Sequence, residues 1–257
     1  MTEALLSVSG LTKSYGALRA CDTVALDIAE GELHAVIGPN GAGKTTLIGQ
    51  LAGELRPDSG RVMFAGQDIT HREAHRRATL GLARSFQITS VLPRFSALDN
   101  VALAVQAHAG SSFRFWSRAR ADASLREPAR ACLERVGLAA RADTPAGALA
   151  HGEQRQLELA MALASEPRLL LLDEPTAGMG REDSARMVEL LSVLKGRIAM
   201  LLIEHDMDAV FALADRISVM VGGQVIACDT PEAIRKNAAV RRAYLGEDEA
   251  SLDGGAA

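Results

Sequence analysis

Val36 to Thr46 reads VIGPNGAGKTT, and within it Gly38, Gly43, Lys44 and Thr45 fall on the pattern G-x-x-x-x-G-K-[ST]. An apolar, strand-like run from Leu33 to Ile37 comes before it. A segment with Leu47, Ile48, Leu51 and Ala52 on one helical face follows. Strand, glycine-rich turn and helix in that order are the context in which such a loop cradles phosphate. Three glycines, Gly38, Gly41 and Gly43, let backbone N–H groups turn inward around phosphate oxygens with no Cβ in the way. Lys44 brings a point charge to the β- and γ-phosphates, the helix N-terminus adds partial positive charge, and the Thr45 hydroxyl suits a magnesium ion. Pro39, Asn40, Ala42 and Thr46 complete the loop expected around the nucleotide.

The chain has 257 residues, of which 48% are apolar and 23% charged, with 8 prolines, enough for one large domain with sub-lobes. No apolar run reaches the roughly 20 residues that span a bilayer. The start, MTEALLSVSG, has neither a basic stretch nor a long apolar one, so a transmembrane helix and a signal peptide are not expected and the cytoplasm is. Cys21, Cys132 and Cys228 are scattered without C-x-x-C spacing, which argues against zinc and against a disulfide framework. All three are expected as core or near-core thiols. A net charge of −4 gives no global footprint for nucleic acid.

Ser7 to Tyr15 and Val24 to Ile28 read as strands, the second with Val24, Leu26 and Ile28 on one face. LRPDSG, from Leu55 to Gly60, is a turn, and Arg61 to Ile69 a strand running into a turn at Gly66-Gln67-Asp68, which completes an antiparallel β-lobe. His71 to Leu80 predicts a short basic helix, and Leu82 to Phe86 a strand ending at Gln87. Ser96 followed by Asp99 is a capping-box start for a helix carrying Leu98, Val101, Ala102 and Val105. Gly110 to Arg130 interleaves Phe113, Phe115 and Trp116 with five arginines. Either a nucleic-acid or membrane-surface patch or a solvated helical lobe fits that composition, and the absence of a basic excess beyond it favours the lobe. Pro128 is expected to open the next helix, which stops at Gly137.

Gly152 to Ala164 has helical apolar spacing and is closed by Glu166-Pro167. Leu169 to Leu172 then forms a short apolar run ended by Asp173 and Glu174, as in a strand buried on both faces of a parallel sheet. This resembles a Walker B strand, in which Asp173 would hold magnesium through water and Glu174 would orient and polarise the water that attacks the γ-phosphate. Arg181 to Leu194 predicts an amphipathic helix, Ile198 to Ile203 a buried strand, Asp206 to Ala214 a helix, and Ser218 to Cys228 a hairpin turning at Gly222-Gly223. The tail, Glu247 to Ala257, is acidic, rich in small residues and expected to be disordered.

These motifs in this order resemble the ATP-binding cassette family of transporter ATPases, and the resemblance covers nearly the whole chain. Tyr15 in KSYG sits where that family stacks an aromatic on adenine, Gln87 in SFQ matches its Q-loop, and His205 in LLIEHD matches its switch histidine. The family's signature, usually LSGGQ, falls on Leu149 to Glu153, here LAHGE with Gln154 following. Gly152 and the helix start are kept, so backbone donors can still face a γ-phosphate, but Ala150 has no hydroxyl and His151 replaces a glycine. The D-loop reads Ala177-Gly178-Met179-Gly180 and lacks the usual aspartate. One reading is a weakened site. The other is a subfamily variant, because this signature, this D-loop, EHDMDAVF and RAYLGE resemble the ATPases of branched-chain amino-acid importers.

The resemblance implies a single cassette over residues 1–246, an α/β phosphate-loop NTPase (RecA-like) core with an antiparallel β-lobe and a helical lobe inserted at about 88–165. It implies ATP and Mg²⁺, catalytic roles for Glu174, His205 and Gln87, and metal contacts from Thr45, Gln87 and Asp173. Tyr15 and Gly38 to Thr46 would bind the nucleotide. A second ATPase subunit, identical or not, would offer Ala150, His151, Gly152 and Glu153 in trans. The implied partners are integral-membrane permease subunits and, indirectly, a periplasmic or extracellular solute-binding protein, with no nucleic acid. The implied place is the cytoplasmic face of the inner membrane, with Ile88 to Phe95 receiving the permease. A urea or amide importer, an exporter, a soluble cassette ATPase acting on ribosomes or DNA, and a nucleotide sensor with little turnover remain as alternatives.

Overall fold

The computed structural model describes residues 4–84, 91–109 and 122–242. Gln87, Ile88, Phe113, Phe115, Trp116 and the acidic tail lie outside the described residues. In chain order the elements are β1 (Leu6–Tyr15), β2 (Leu18–Ile28), β3 (Leu33–Ile37), α1 (Lys44–Ala52), β4 (Ser59–Phe64), β5 (Gln67–Asp68), α2 (Ala74–Ala78) and β6 (Leu82–Arg84). Then come α3 (Ala97–His108), α4 (Ala123–Arg135), α5 (His151–Leu163), β7 (Leu169–Asp173), α6 (Arg181–Leu194) and β8 (Ala199–Ile203). The chain closes with α7 (Met207–Leu213), β9 (Arg216–Val221), β10 (Gln224–Asp229), α8 (Pro231–Lys236) and α9 (Ala238–Val240). They divide into two compact units, Met1–Ala74 with Lys195–Ala257, and His75–Leu194.

In the first unit, β1 lies antiparallel between β2 and β4, with Leu6 opposite Ile28 and Val8 opposite Leu26. Leu6, Val8, Leu11, Val24, Leu26 and Ile28 are buried, so the period-two pattern marks the covered face. β2 begins earlier than the expected Val24, because the turn at Gly16 folds Leu18 back against Tyr15. The turn in the β4–β5 hairpin also differs from expectation. It is Ala65-Gly66, with φ of 49° and 73° and Phe64 opposite Gln67. Two successive positive φ angles are what a two-residue hairpin turn of matching twist requires, and Gln67 and Asp68 are thereby released to pair as strand. Beside this, β3 runs parallel to both β8 and β9, and β9 is antiparallel to β10. β3 and β8 are buried at every position, which accounts for the unbroken apolar sequence of β8 and for a β3 whose one polar residue, His34, is hydrogen-bonded to Glu32 and Ser218. Cys21 is buried, and burial pushes its thiol up to about 11. Cys228 departs from the core expectation: it is exposed near the end of β10, where its sulfur accepts from Arg216 Nη2 at 3.2 Å.

In the second unit, β6 and β7 pair in parallel, Leu82 with Leu169 and Arg84 with Leu171, beside helices α3 to α6. The helix expected over 71–80 is confined to α2. Ser96 caps α3 by accepting from Asp99 N at 3.0 Å, as the capping pattern predicts. Pro128 does not open α4. The helix starts at Ala123 under an Asp122 cap, which accepts from Ser124 N at 3.0 Å, and Pro128 lies inside it. The cap satisfies a first-turn donor, and the proline omits only the single bond its missing N–H would have made to Ser124. Arg126 on α4 reaches Asp99 on α3 at 3.0 Å. Cys132 is buried on the inner face of α4. Among the described residues no helix is long and apolar enough to cross a membrane.

Asn100, fully buried on α3, holds the segment before that helix. Its Oδ1 accepts from Leu92 N at 2.7 Å, and its Nδ2 donates to Leu92 O at 3.1 Å and Ser96 O at 2.9 Å. Leu92 and Phe95 stay exposed on this pinned turn. Asn100→Ala leaves the Leu92 amide without this acceptor and takes one of two donors from the carbonyls of Leu92 and Ser96, which still accept from Phe95 N and from the residue-100 amide, and should lower unfolding stability by about 1–2 kcal/mol. Urea titration with the midpoint read by circular dichroism checks this; a loss under about 0.5 kcal/mol would show that water replaces the amide freely.

Candidate active site

The loop from Gly38 to Thr46 leaves the carboxyl end of β3 and enters α1. Gly38 has φ +154°, and a Cβ there would run into the carbonyl oxygen of Met220 on β9. Gly43 has φ +102°, and a Cβ there would run into the carbonyl oxygen of Ala20 on β2. The two glycines of the motif are therefore demanded by backbone packing as well as by phosphate chemistry. Lys44, nearly buried in the first turn of α1, donates through Nζ to Gly38 O at 2.6 Å and Pro39 O at 3.0 Å, which keeps its charge against the loop. Asn40, Gly41 and Thr45 are exposed. The α1 N-cap, Gly43, has no side-chain acceptor and the first turn carries no acid, so its amide donors are directed to the loop's concavity and nothing there opposes an anion.

Val36 pairs with Ile203 in the β3–β8 register, so the phosphate loop and His205 both follow the carboxyl ends of neighbouring parallel strands. That is where open α/β sheets hold ligands. The His205 side chain is 65% exposed, whereas Glu204 just before it is buried and accepts from His205 N at 3.0 Å. Tyr15 is 50% exposed at the β1–β2 turn, with Lys13 Nζ 5.8 Å from its ring centroid. The first unit thus brings together Gly38 to Thr46 and His205, with Tyr15 on the tip of its antiparallel sheet.

In the second unit, β7 delivers Asp173 at its carboxyl end with a side chain 1% exposed, accepting from Arg84 Nη2 on β6 at 3.0 Å. Arg84 is a residue that the sequence reading passed over; the signal was an arginine closing an apolar strand. Glu174 follows with φ +50°, left-handed for a residue with a Cβ. Such strain persists where the surroundings over-determine it, and it gathers at active sites.

The signature stretch lies at the N-terminus of α5. Ala150 is its N-cap and has no side-chain acceptor, so only half of a capping box forms: Glu153 Oε2 accepts from Ala150 N at 2.9 Å, while Glu153 Oε1 pairs with Arg141 Nε at 3.1 Å. Gly152 packs on α6, where a Cβ would stand 2.7 Å from Asp183 Cγ. His151 is exposed, and a Cβ on Gly178 would stand 3.4 Å from its Cε1. The two departures from the family's usual wording, the signature histidine and the D-loop glycine, are thus neighbours in space.

The profile of the ABC transporter family matches residues 21–177, and that of the branched-chain amino acid ATP-binding cassette transporter family matches residues 224–250. The chain belongs to the ATP-binding cassette transporter family. Over 254 residues it is 38% identical to the high-affinity branched-chain amino acid transport ATP-binding protein BraF of Pseudomonas aeruginosa, covering 96% of this chain and 100% of BraF. It is 36% identical, with the same coverage, to LivG of Escherichia coli K12, which carries the same description. Among solved structures it is similar to the ADP conformation of an ATP-binding cassette of an ABC transporter, at 29% identity and a TM-score of 0.84, covering 95% of this chain and 100% of that one. The cassette has a phosphate-loop α/β fold, binds ATP and is an ATPase of transporter type.

Lys44→Ala removes the charge aimed at the phosphates and little of the core. ATP affinity by calorimetry should fall by at least about 10², the loss of more than 2.7 kcal/mol of charge-assisted contact, while the far-UV spectrum is kept. Unchanged affinity would break the assignment of this loop.

Proposed function

We propose that the chain is the ATP-hydrolysing subunit of an importer for branched-chain amino acids, bound peripherally at the cytoplasmic face of the inner membrane. The observation that carries the solute class is the likeness to BraF and LivG along the full length of both, joined to the match of residues 224–250 to the branched-chain family. As a unit of function we take residues 1–246 as one cassette, with the helical lobe at about 88–165.

In this reading Lys44 and the amides of Gly38 to Thr46 bind the phosphates, and Tyr15 stacks on the adenine. The Thr45 hydroxyl and the Asp173 carboxylate are hard oxygen donors of the kind Mg²⁺ takes, and with Gln87 they would hold it. Bound there, Mg²⁺ would offset the negative charge of the phosphates. Glu174 accepts the proton of the attacking water and His205 orients the γ-phosphate. The strained φ of Glu174 and the exposure of His205 at a strand end support these roles. A second ATPase subunit completes the site by offering the α5 N-terminus, where Ala150, His151, Gly152 and Glu153 lie; backbone amides do the work that a serine hydroxyl would share elsewhere. Permease subunits dock at the pinned turn that exposes Leu92 and Phe95, and a solute-binding protein serves them from the other side.

Glu174→Gln keeps the shape and removes the base. Phosphate release should fall by at least about 10² while ATP still binds. Turnover within a few-fold of the parent would take Glu174 out of the mechanism.

Leu92→Glu places a charge on the docking turn. Uptake of labelled leucine, isoleucine and valine in cells carrying it should be lost although the purified chain still binds ATP. Deleting the gene while measuring the same three solutes beside urea and short amides tests the solute class: loss confined to urea or amides would move the assignment to them.

A further inference from the structure

Two arginines of the second unit, Arg84 and Arg155, lie near the acid that ends β7. Arg155 on α5 donates to Glu158 at 3.0 Å, and this pair lines, with Asp173, a cavity of about 10 Å³, the size of one water. The Arg84 guanidinium meets the Asp173 carboxylate, Nη2 to Oδ2 at 3.0 Å, with side-chain exposures of 11% and 1%. The register explains the reach. Arg84 closes β6 opposite Leu171 of the parallel β7, so its long side chain runs forward along the strand direction to the residue two places on. Leu169 to Leu172 are all buried, so Asp173 emerges from an apolar strand into a site closed to bulk water. A carboxylate at such depth stays charged and fixed only with a counter-charge and a directed hydrogen bond, and breaking the pair from one side is strongly unfavourable. Arginine suits the place because it keeps its charge when desolvated and presents a planar fork.

We propose that Arg84 is a positioning residue for metal binding: by holding Oδ2 it keeps the Asp173 carboxylate charged and turned for Mg²⁺, without itself touching nucleotide or metal. This rests on the reading of Asp173 as a magnesium-binding residue. Groups that orient a metal-binding carboxylate by hydrogen bonding contribute about 10- to 100-fold to metal affinity. A purely architectural ion pair would instead lower stability and leave the metal requirement of the folded protein unmoved.

The test titrates Mg²⁺ into the full chain with a fluorescent ADP analogue and reads the Mg²⁺ concentration at half-maximal tight binding, beside nucleotide affinity in EDTA. Arg84→Gln should raise the Mg²⁺ requirement by about tenfold or more and leave the EDTA affinity unchanged. Arg84→Lys, which keeps the charge but not the fork, should give a smaller rise. In an Asp173→Asn background, Arg84→Gln should add nothing. Should Arg84→Gln fail to fold, Arg84→Lys and the double variant, which carries no buried charge at this pair, still read the effect. An unmoved Mg²⁺ requirement in folded Arg84 variants overturns the proposal, provided Asp173→Asn itself shifts the requirement. So does a lowered one, which would mean that Arg84 competes with the metal. If Asp173→Asn shifts nothing, the reading of Asp173 falls, and the role of Arg84 with it.

Discussion

The backbone of the phosphate loop lies so close to β9 and β2 that no Cβ fits at Gly38 or Gly43. This packing governs the first unit. It ties the loop to the ends of two strands in different sheets, leaves the loop little room to rearrange, and sets Lys44 where its ammonium can satisfy the carbonyls of Gly38 and Pro39. An anion-binding loop needs its donors aimed before the ligand arrives, since ordering them on binding would subtract from affinity. Contact with neighbouring backbone supplies that order without help from the nucleotide.

The same device recurs in each unit at the carboxyl ends of buried parallel strands. β7 ends in Asp173 followed by Glu174; β8 is followed by Glu204 and His205. In both, the first residue of the pair is buried and hydrogen-bonded, and the second is more exposed. Asp173 is met by Arg84, and Glu204 accepts the amide of His205. A strand with an unbroken apolar run tolerates a charge only at its end, where a partner can be brought in, so ionisable groups collect there.

The variant signature becomes intelligible through its neighbours. Without a hydroxyl at Ala150, the start of α5 is organised by Glu153, which accepts the Ala150 amide while held by Arg141. Gly152 is required by α6, because Asp183 occupies the space a side chain would need. His151 projects beside Gly178 of the D-loop. The substitutions form one spatial cluster. Damage scattered along an inactive relative would have no reason to do so, and the cluster accords with the likeness to the branched-chain importer ATPases.

Local sequence alone determined the phosphate loop, the Asp173-Glu174 strand end, the Ser96 cap, α6 over Arg181–Leu194 and the hairpin at Gly222-Gly223, because each depends on residues close together in the chain: periodicity, a cap, a turn, a motif of fixed spacing. The start of α4 was misread since Pro128 signals a first turn, but the Asp122 cap outweighs it. Only the tertiary structure decided that Gly38 and Gly43 answer to Met220 and Ala20, that Cys228 faces solvent, that Asn100 pins the turn at Leu92, and that Arg84 belongs to Asp173. Those pairings join residues 8 to 182 positions apart: Asn100 is 8 from Leu92, Arg84 is 89 from Asp173, and Gly38 is 182 from Met220. A strand's sequence carries its burial and its end, but not which neighbour it will pair with or in what register, and it is register that sets an arginine on one strand against an acid on the next.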